Sequence, residues 1–366
     1  MLQRNDRLET RQTQLVLVLL SVLSVASAMF FVHRNELLLY VDAKSYQMIS
    51  RRTIDSLTPS AGQIGGVWLP LKQLLTLPLV WIDPLYYSGI AGGIGSMLSF
   101  VVAGACIFAI VREISGSTFG ATIGAAVFAL NPNVLYMQAT PMSEMLFYAL
   151  ISVAALGLVR YIKRPEQIHS LVFTAIAIMP ACLTRYEAWL IYAGFAAVVG
   201  YVGLYQGWDW RRRLDHILVF NFFAGLGPIS WMLWNWVIFG SPLRFIKGDY
   251  AAPTNWVSTN DYVVGNLRFS LKTFWFATVH NLGLATTVVT ILAIGYSIWR
   301  YKRQPVSALL IVLAAQFPIF VLMLYIGQRP LRIPEVHNGG FYNVRFALQM
   351  VIGKPAGQVV MDCFSQ

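Results

Sequence analysis

Uninterrupted apolar runs of about 18 residues or more recur from one end of this 366-residue chain to the other. A run of that length crosses a bilayer core of about 30 Å as a helix, and lipid offers no partner for an unpaired backbone amide. This confines the chain to an all-α, polytopic membrane fold. Composition agrees: 57% of residues are hydrophobic and only 12% charged, with a mean hydropathy of +0.60. About nine spans are expected, near 13–32, 85–111, 119–137, 142–159, 169–184, 186–205, 216–239, 277–299 and 307–327. The stretch from Trp68 to Ile82 is apolar but short, and Pro70 and Pro78 interrupt it, so it reads as re-entrant or interfacial. Ala26-Ser27-Ala28 resembles a signal-peptidase site, but the apolar run continues through Val32, which favours a full span.

Lys and Arg set the expected orientation. With the N-terminus cytoplasmic, the inner connections hold Arg4, Arg7, Arg11, Arg112, Arg160, Lys163, Arg164, Arg211, Arg212, Arg213, Arg300, Lys302 and Arg303. These 13 are under half of the 27 basic residues. Yet they crowd into about 45 residues beside helix ends, whereas the remainder are diluted over more than twice that length. The net charge of +11 is thus a topology signal, complementary to anionic headgroups, and not the mark of a nucleic-acid partner. Ten of the 16 acids fall on the other face: Glu36, Asp42, Asp55, Asp83, Glu144, Glu187, Asp249, Asp261, Glu335 and Asp362. That face also carries the two long connections, about 33–84 and 240–276. Chemistry is expected on the elaborated, extracytoplasmic side. Cys106, Cys182 and Cys363 show neither disulfide nor zinc spacing, and there is no internal repeat.

On that face, residues Tyr40 to Leu57 have the spacing of an interfacial amphipathic helix. Asp42 sits near its start, either as a carboxylate favoured by the helix dipole or as a general base at the membrane surface. The stretch ALNPNVLYMQATPMSEMLF, residues 129–147, is too polar for a bare turn between two spans. Thr140 and Pro141 read as N-cap and first residue of the next helix, with Glu144 in its first turn. Asn131, Asn133, Tyr136 and Gln138 suggest the lining of a cavity. Arg185 and Glu187 lie between two apolar runs with almost no loop, where ionisable groups are rare and usually functional. Residues i and i+2 diverge on a helix, so each is expected to face a different partner. Gly339, Tyr342, Asn343 and Arg345 lie at the mouth of an expected tenth span, with Arg345 a phosphate ligand or a headgroup anchor.

Five motifs occur in order: DAxxY (42–46), GGVWLPL (65–71), NPNxLYxQATPMSE (131–144), LTRYEAW (183–189) and FYNVRF (341–346). Together they resemble the GT-C membrane glycosyltransferases, in the branch of the protein O-mannosyltransferases and aminoarabinose transferases, over residues 14–348. The resemblance implies a GT-C domain over 1–349 that transfers a sugar from a polyprenyl-phosphate donor to an acceptor hydroxyl on lipid, glycan or protein. It implies that Asp42 is the general base, that Tyr46, Lys72, Glu144, Arg185, Glu187 and Arg345 bind substrate, and that the enzyme is a multi-pass plasma-membrane protein. Residues 350–366 depart from the family's pattern and read as a truncated end. No cofactor is implied with certainty; Asp42, Glu144 and His337 are candidates to share a divalent ion, although no ligand spacing argues for one. Two other classes fit the composition. One is a transporter or flippase, since midplane charges also mark permeation paths. The other is a truncated, inactive glycosyltransferase.

Overall fold

The computed structural model describes residues 2–248, 251, 255, 257, 258, 260–337 and 340–351. Gly339, Asp249, Asp362, Cys363 and residues 352–366 lie outside the described residues. The described chain is all-helical, and its only extended pairing is an isolated bridge between Arg332 and Tyr342.

Helix α1 (Leu2–His33) is followed by four short elements: α2 (Val41–Arg52), a 3-10 turn (Ala61–Ile64), α3 (Leu71–Thr76) and α4 (Asp83–Ser88). Then come α5 (Ile90–Ser115), α6 (Thr118–Ala129), α7 (Pro132–Ala139), α8 (Glu144–Lys163), α9 (Ile168–Cys182) and α10 (Glu187–Tyr205). The second half holds α11 (Trp210–Ala224), α12 (Leu226–Phe239), α13 (Arg244–Lys247), α14 (Leu267–Leu282), α15 (Leu284–Tyr301), α16 (Pro305–Ala314) and α17 (Gln316–Tyr325). A 3-10 segment, Val344–Val351, closes the described chain.

Among the described residues, six helices are long and apolar enough to cross a membrane, or up to eight if each of two bent pairs is one span. The expected count of nine is not reached among them, for identifiable reasons. The run at 119–137 breaks between α6 and α7, which meet at 63°. Pro132 cannot donate into a continuing helix, and Asn131 instead turns its side chain onto the amides of Asn133 and Val134, starting a new one. The run at 216–239 bends by 43° at Gly225. Helix α9 has 15 residues, a rise of about 22 Å, which falls short of a full core. The run at 277–299 still supplies one counted span, α15, but that span starts later than expected, because Gly283 with a φ of 77° ends α14 just before it. The expected opening of the next helix at Thr140 and Pro141 is also displaced: α8 starts at Glu144, and Thr140 ends α7.

The core is built on α5, α8 and α9, with α1 and α10 packed around them. Helix α1 is part of this bundle, since Ser24 Oγ donates to Gln138 Oε1 (2.7 Å) and Ser27 Oγ to the Leu135 carbonyl (3.0 Å). The start of α5 approaches the α7–α8 connection very closely. A Cβ at Gly92 would lie 2.3 Å from Pro141 Cβ, and one at Gly93 would lie 2.6 Å from the Ala139 carbonyl oxygen. Only glycine allows this approach, which fixes the polar stretch 131–144 against the bundle.

Candidate functional site

The site gathers at the end of the helices that carries the long connections. Helix α2 lies across that end because Ala43, Gln47 and Ser50, spaced along one face, are buried. Gln47 Nε2 donates to the Tyr86 carbonyl (2.8 Å) and Ser50 Oγ to the Gln73 carbonyl (3.0 Å). Asp42 and Tyr46, one turn apart, share a side of this helix. Tyr46 Oη donates to Ser143 Oγ (2.9 Å) at the start of α8. Burial, with the charge of Glu144 nearby, pushes the Tyr46 phenol up to about 12, so it is a neutral donor throughout the physiological range.

Around Ser143 and Glu144 the charged side chains form one continuous alternating chain. Asp42 pairs with Arg345. Arg345 Nε donates to Glu144 Oε1 (3.2 Å), and the same oxygen lies 3.0 Å from Arg185 Nη1. Arg185 Nη2 donates to Glu187 Oε1 (3.0 Å), which also accepts from Arg329 Nη2 (3.4 Å). Six charges from five separate parts of the chain thus run Asp42, Arg345, Glu144, Arg185, Glu187, Arg329, with equal numbers of each sign. The carboxylates of Glu144 and Glu187 are buried at 3% and 1% exposure, while Asp42 keeps 40% and Arg329 31%. The middle of the chain is therefore a structural lock, and its two ends are open to a ligand. Phe346 stacks between the guanidiniums of Arg345 and Arg329, 5.4 and 5.6 Å from its centroid, and Tyr40 covers Arg345 at 4.7 Å. Glu144 Oε2 is buried without a hydrogen-bond partner among the described residues, which leaves one acceptor open at the centre.

Six of the seven residues singled out from sequence converge here: Asp42, Tyr46, Glu144, Arg185, Glu187 and Arg345. Arg185 and Glu187 pair with each other, and each also reaches a separate partner as expected, Arg185 on Glu144 and Glu187 on Arg329. Helix α10 begins only at Glu187, so Arg185 is in the preceding turn and is free to fold back. Lys72 stands apart. Its ammonium is buried at 1% exposure and donates to the Gly92 carbonyl (2.7 Å) and to Ser96 Oγ (2.8 Å) beneath the site. Ser96 Oγ in turn donates to the Met142 carbonyl (3.2 Å). Burial pushes the Lys72 amine down to about 7, partly offset by the charge of Glu144. Lys72 thus braces α3 against α5 and the start of α8.

The polar lip divides in two. Gln138 and Asn131 are spent on neighbouring helices, Gln138 Nε2 on the Ser24 carbonyl (3.2 Å) and Asn131 Nδ2 on the Asn281 carbonyl (2.8 Å). Asn133 and Tyr136 do line a cavity, of about 160 Å³, beside Arg345. Asp42, Glu144 and His337 are not brought together as a metal site. His337 pairs instead with Asp261 at 3.2 Å, and no group of three or more His, Cys, Asp or Glu fit to hold a metal occurs among the described residues. Arg329 and Ser143 escaped sequence reasoning. Arg329 sits in GQRPLRI, which reads as an ordinary post-helix loop, and a lone serine carries no signal at all. Compared with known proteins, the chain matches no family model and finds no curated relative at a significant level of similarity. The chemistry rests on the residues themselves.

Proposed function

We propose that the chain is a glycosyltransferase that moves a sugar from a polyprenyl-phosphate donor to an acceptor hydroxyl at the extracytoplasmic face of the plasma membrane. The observation that carries this reading is the alternating charge chain with a partly exposed carboxylate, Asp42, at one end and a partly exposed guanidinium, Arg329, at the other. A sugar transfer of this kind needs both. The acceptor hydroxyl attacks the anomeric carbon and gives its proton to Asp42, while the bond from that carbon to the phosphate oxygen breaks and polyprenyl phosphate leaves. Arg345 holds the Asp42 carboxylate in place, and the aromatic rings about Arg345 keep water from its other face. The developing phosphate charge is met by the guanidiniums, with Arg329 the foremost because it shares Glu187 with Arg185 and so is the least neutralised. The buried Tyr46, Ser143 and Glu144 then fix this geometry.

The experiment is a donor screen with purified protein, reading release of polyprenyl phosphate from labelled polyprenyl-phosphate sugars. Release that depends on acceptor supports transfer. Movement of intact substrate across a vesicle without release would make the protein a transporter or flippase. The sidedness has its own check: with the N-terminus cytoplasmic, a cysteine at Ser60 is labelled from outside intact cells and one at Gln304 is not. The reverse pattern would place the site in the cytoplasm and remove the extracytoplasmic assignment.

A further inference from the structure

The charge chain has a neighbour that the proposed reaction has not yet used. Beside Arg345 lies a cavity of about 160 Å³ whose walls include Tyr40, Asn133, Tyr136, His280, Phe341 and Arg345 itself. Its size is close to that of a cavity of about 150 Å³ that accepts one benzene ring, so it has room for one six-membered ring. Its walls alternate between ring faces and polar atoms. Tyr40 and Tyr136 approach each other at 5.9 Å on one side, and His280 meets Phe341 edge to face at 4.9 Å on another. His280 Nε2 is held by Glu335 Oε1 at 2.6 Å, which orients the imidazole and leaves its other nitrogen without a hydrogen bond among the described residues. The Asn133 side-chain amide and the Tyr40 hydroxyl also make no hydrogen bond among them. In contrast, the Tyr136 hydroxyl is spent on the Glu36 carbonyl (2.9 Å).

Flat aromatic faces suit the C–H faces of a sugar ring, and unspent amide, imidazole and phenol groups suit its hydroxyls. The charge balance separates a neutral ring from an anionic one. Arg345 already answers Asp42 and Glu144, and Glu335 adds a further carboxylate at the rim. Among the described residues that line the cavity, an anion finds no uncommitted cation. We infer that this cavity is a monosaccharide pocket for one neutral, unbranched ring, with His280, held by Glu335, and Asn133 as the groups that read its hydroxyls. The inference rests on the proposed glycosyl transfer for its biological meaning, and the ring comes from either the donor or the acceptor.

Binding is measured without turnover, by saturation-transfer NMR on the full chain in detergent with neutral methyl hexosides and methyl pentosides, and with a methyl hexuronide as the anionic counterpart. Neutral glycosides should receive saturation on their ring protons, and the hexuronide should bind more weakly. His280→Ala and Asn133→Leu should each weaken binding by about threefold to tenfold, the scale of one lost neutral hydrogen bond. Asn133→Trp, at an exposed position on the rim, should close the cavity and abolish binding. Thermal melts of the variants establish that each is folded. Absence of saturation for every glycoside, tighter binding of the hexuronide, or unchanged binding in the folded Asn133→Trp protein would each overturn the pocket. Competition with a water-soluble short-chain prenyl-phosphate sugar identifies the source: displacement assigns the ring to the donor, and its absence assigns it to the acceptor. Binding that persists in a protein that releases no polyprenyl phosphate would keep the pocket and remove the transferase reading, so the two fail separately.

Discussion

The two ends of this helical bundle use the same charged residues in different ways. At the end with short connections, Arg160 and Lys163 meet Glu113 at 3.5 Å, and Arg212 meets Glu166, with every partner between 34% and 69% exposed. At the other end, Arg345, Glu144, Arg185 and Glu187 are all below 15% exposure and each bonds two partners. Exposed pairs are worth little to stability. Buried pairs cost much desolvation and survive only where the geometry is complete. The two ends thus differ in burial and in connectivity: isolated exposed pairs at one, and a continuous buried chain of charges at the other, where the proposed site lies.

The largest effect expected from this contrast is on folding. Arg185→Met leaves Glu144 and Glu187 buried with one arginine each, and should cost about 3 kcal/mol, the lower end of the range for breaking a buried pair. Arg212→Met at the opposite end should cost about 0–1 kcal/mol. Chemical denaturation in mixed micelles measures both; equal costs would erase the distinction between the ends.

A smaller effect follows from Lys72, which belongs to the long-connection end but not to its ion pairs. Its amine is lowered by burial to about 7 when folded, whereas an unfolded lysine titrates near 10.5. Between these values the unfolded chain binds the extra proton, so stability rises as pH increases from about 7 towards 10.5, and the burial cost is fully present below 7. Tm should therefore climb between pH 7 and pH 9 in the parent protein relative to Lys72→Met, which keeps the side chain's bulk without a titrating group. Parallel curves for the two proteins would show that Lys72 does not titrate there.

The smallest effect concerns Arg329, at the exposed end of the charge chain. Arg329→Met should leave the unfolding free energy within about 1 kcal/mol of the parent, since the guanidinium is 31% exposed and Glu187 keeps Arg185. Donor affinity should nevertheless fall, because a charge-assisted contact to phosphate is lost. A folded variant with unchanged donor affinity would remove Arg329 from the phosphate site.

Much of this arrangement was legible in the residues. Glu144, Arg185, Glu187 and Arg345 stand out because ionisable groups beside apolar runs need a reason to be there, Asp42 because it heads an amphipathic stretch, and Tyr46 only through the resemblance carried by DAxxY. The pairing pattern was not legible, since it depends on α10 starting at Glu187 and on the 3-10 segment carrying Arg345 back over α2 and α8. The polar residues of the lip have the sequence signature of one lining, yet hydrogen bonds to α1 and α14 consume Gln138 and Asn131. Hydropathy finds apolar length but not its direction, and so it merged α6 with α7 and α14 with α15 across Pro132 and Gly283.

In the proposed reaction Asp42, at the open end of the charge chain, takes the acceptor's proton. Its natural comparison is Asp55 in the same connection, which is 65% exposed and paired with Arg51 at 2.8 Å, away from the chain. The decisive measurement is acceptor-dependent release of polyprenyl phosphate by Asp42→Asn and Asp55→Asn, alongside donor binding. Asparagine keeps the size of Asp42 and much of its hydrogen bonding but cannot take up the proton. Turnover should fall by about 10²-fold or more in Asp42→Asn with donor binding largely kept, and stay within a few fold in Asp55→Asn. Near-normal turnover in Asp42→Asn would contradict the account and leave Asp42 as a carboxylate that merely begins a helix.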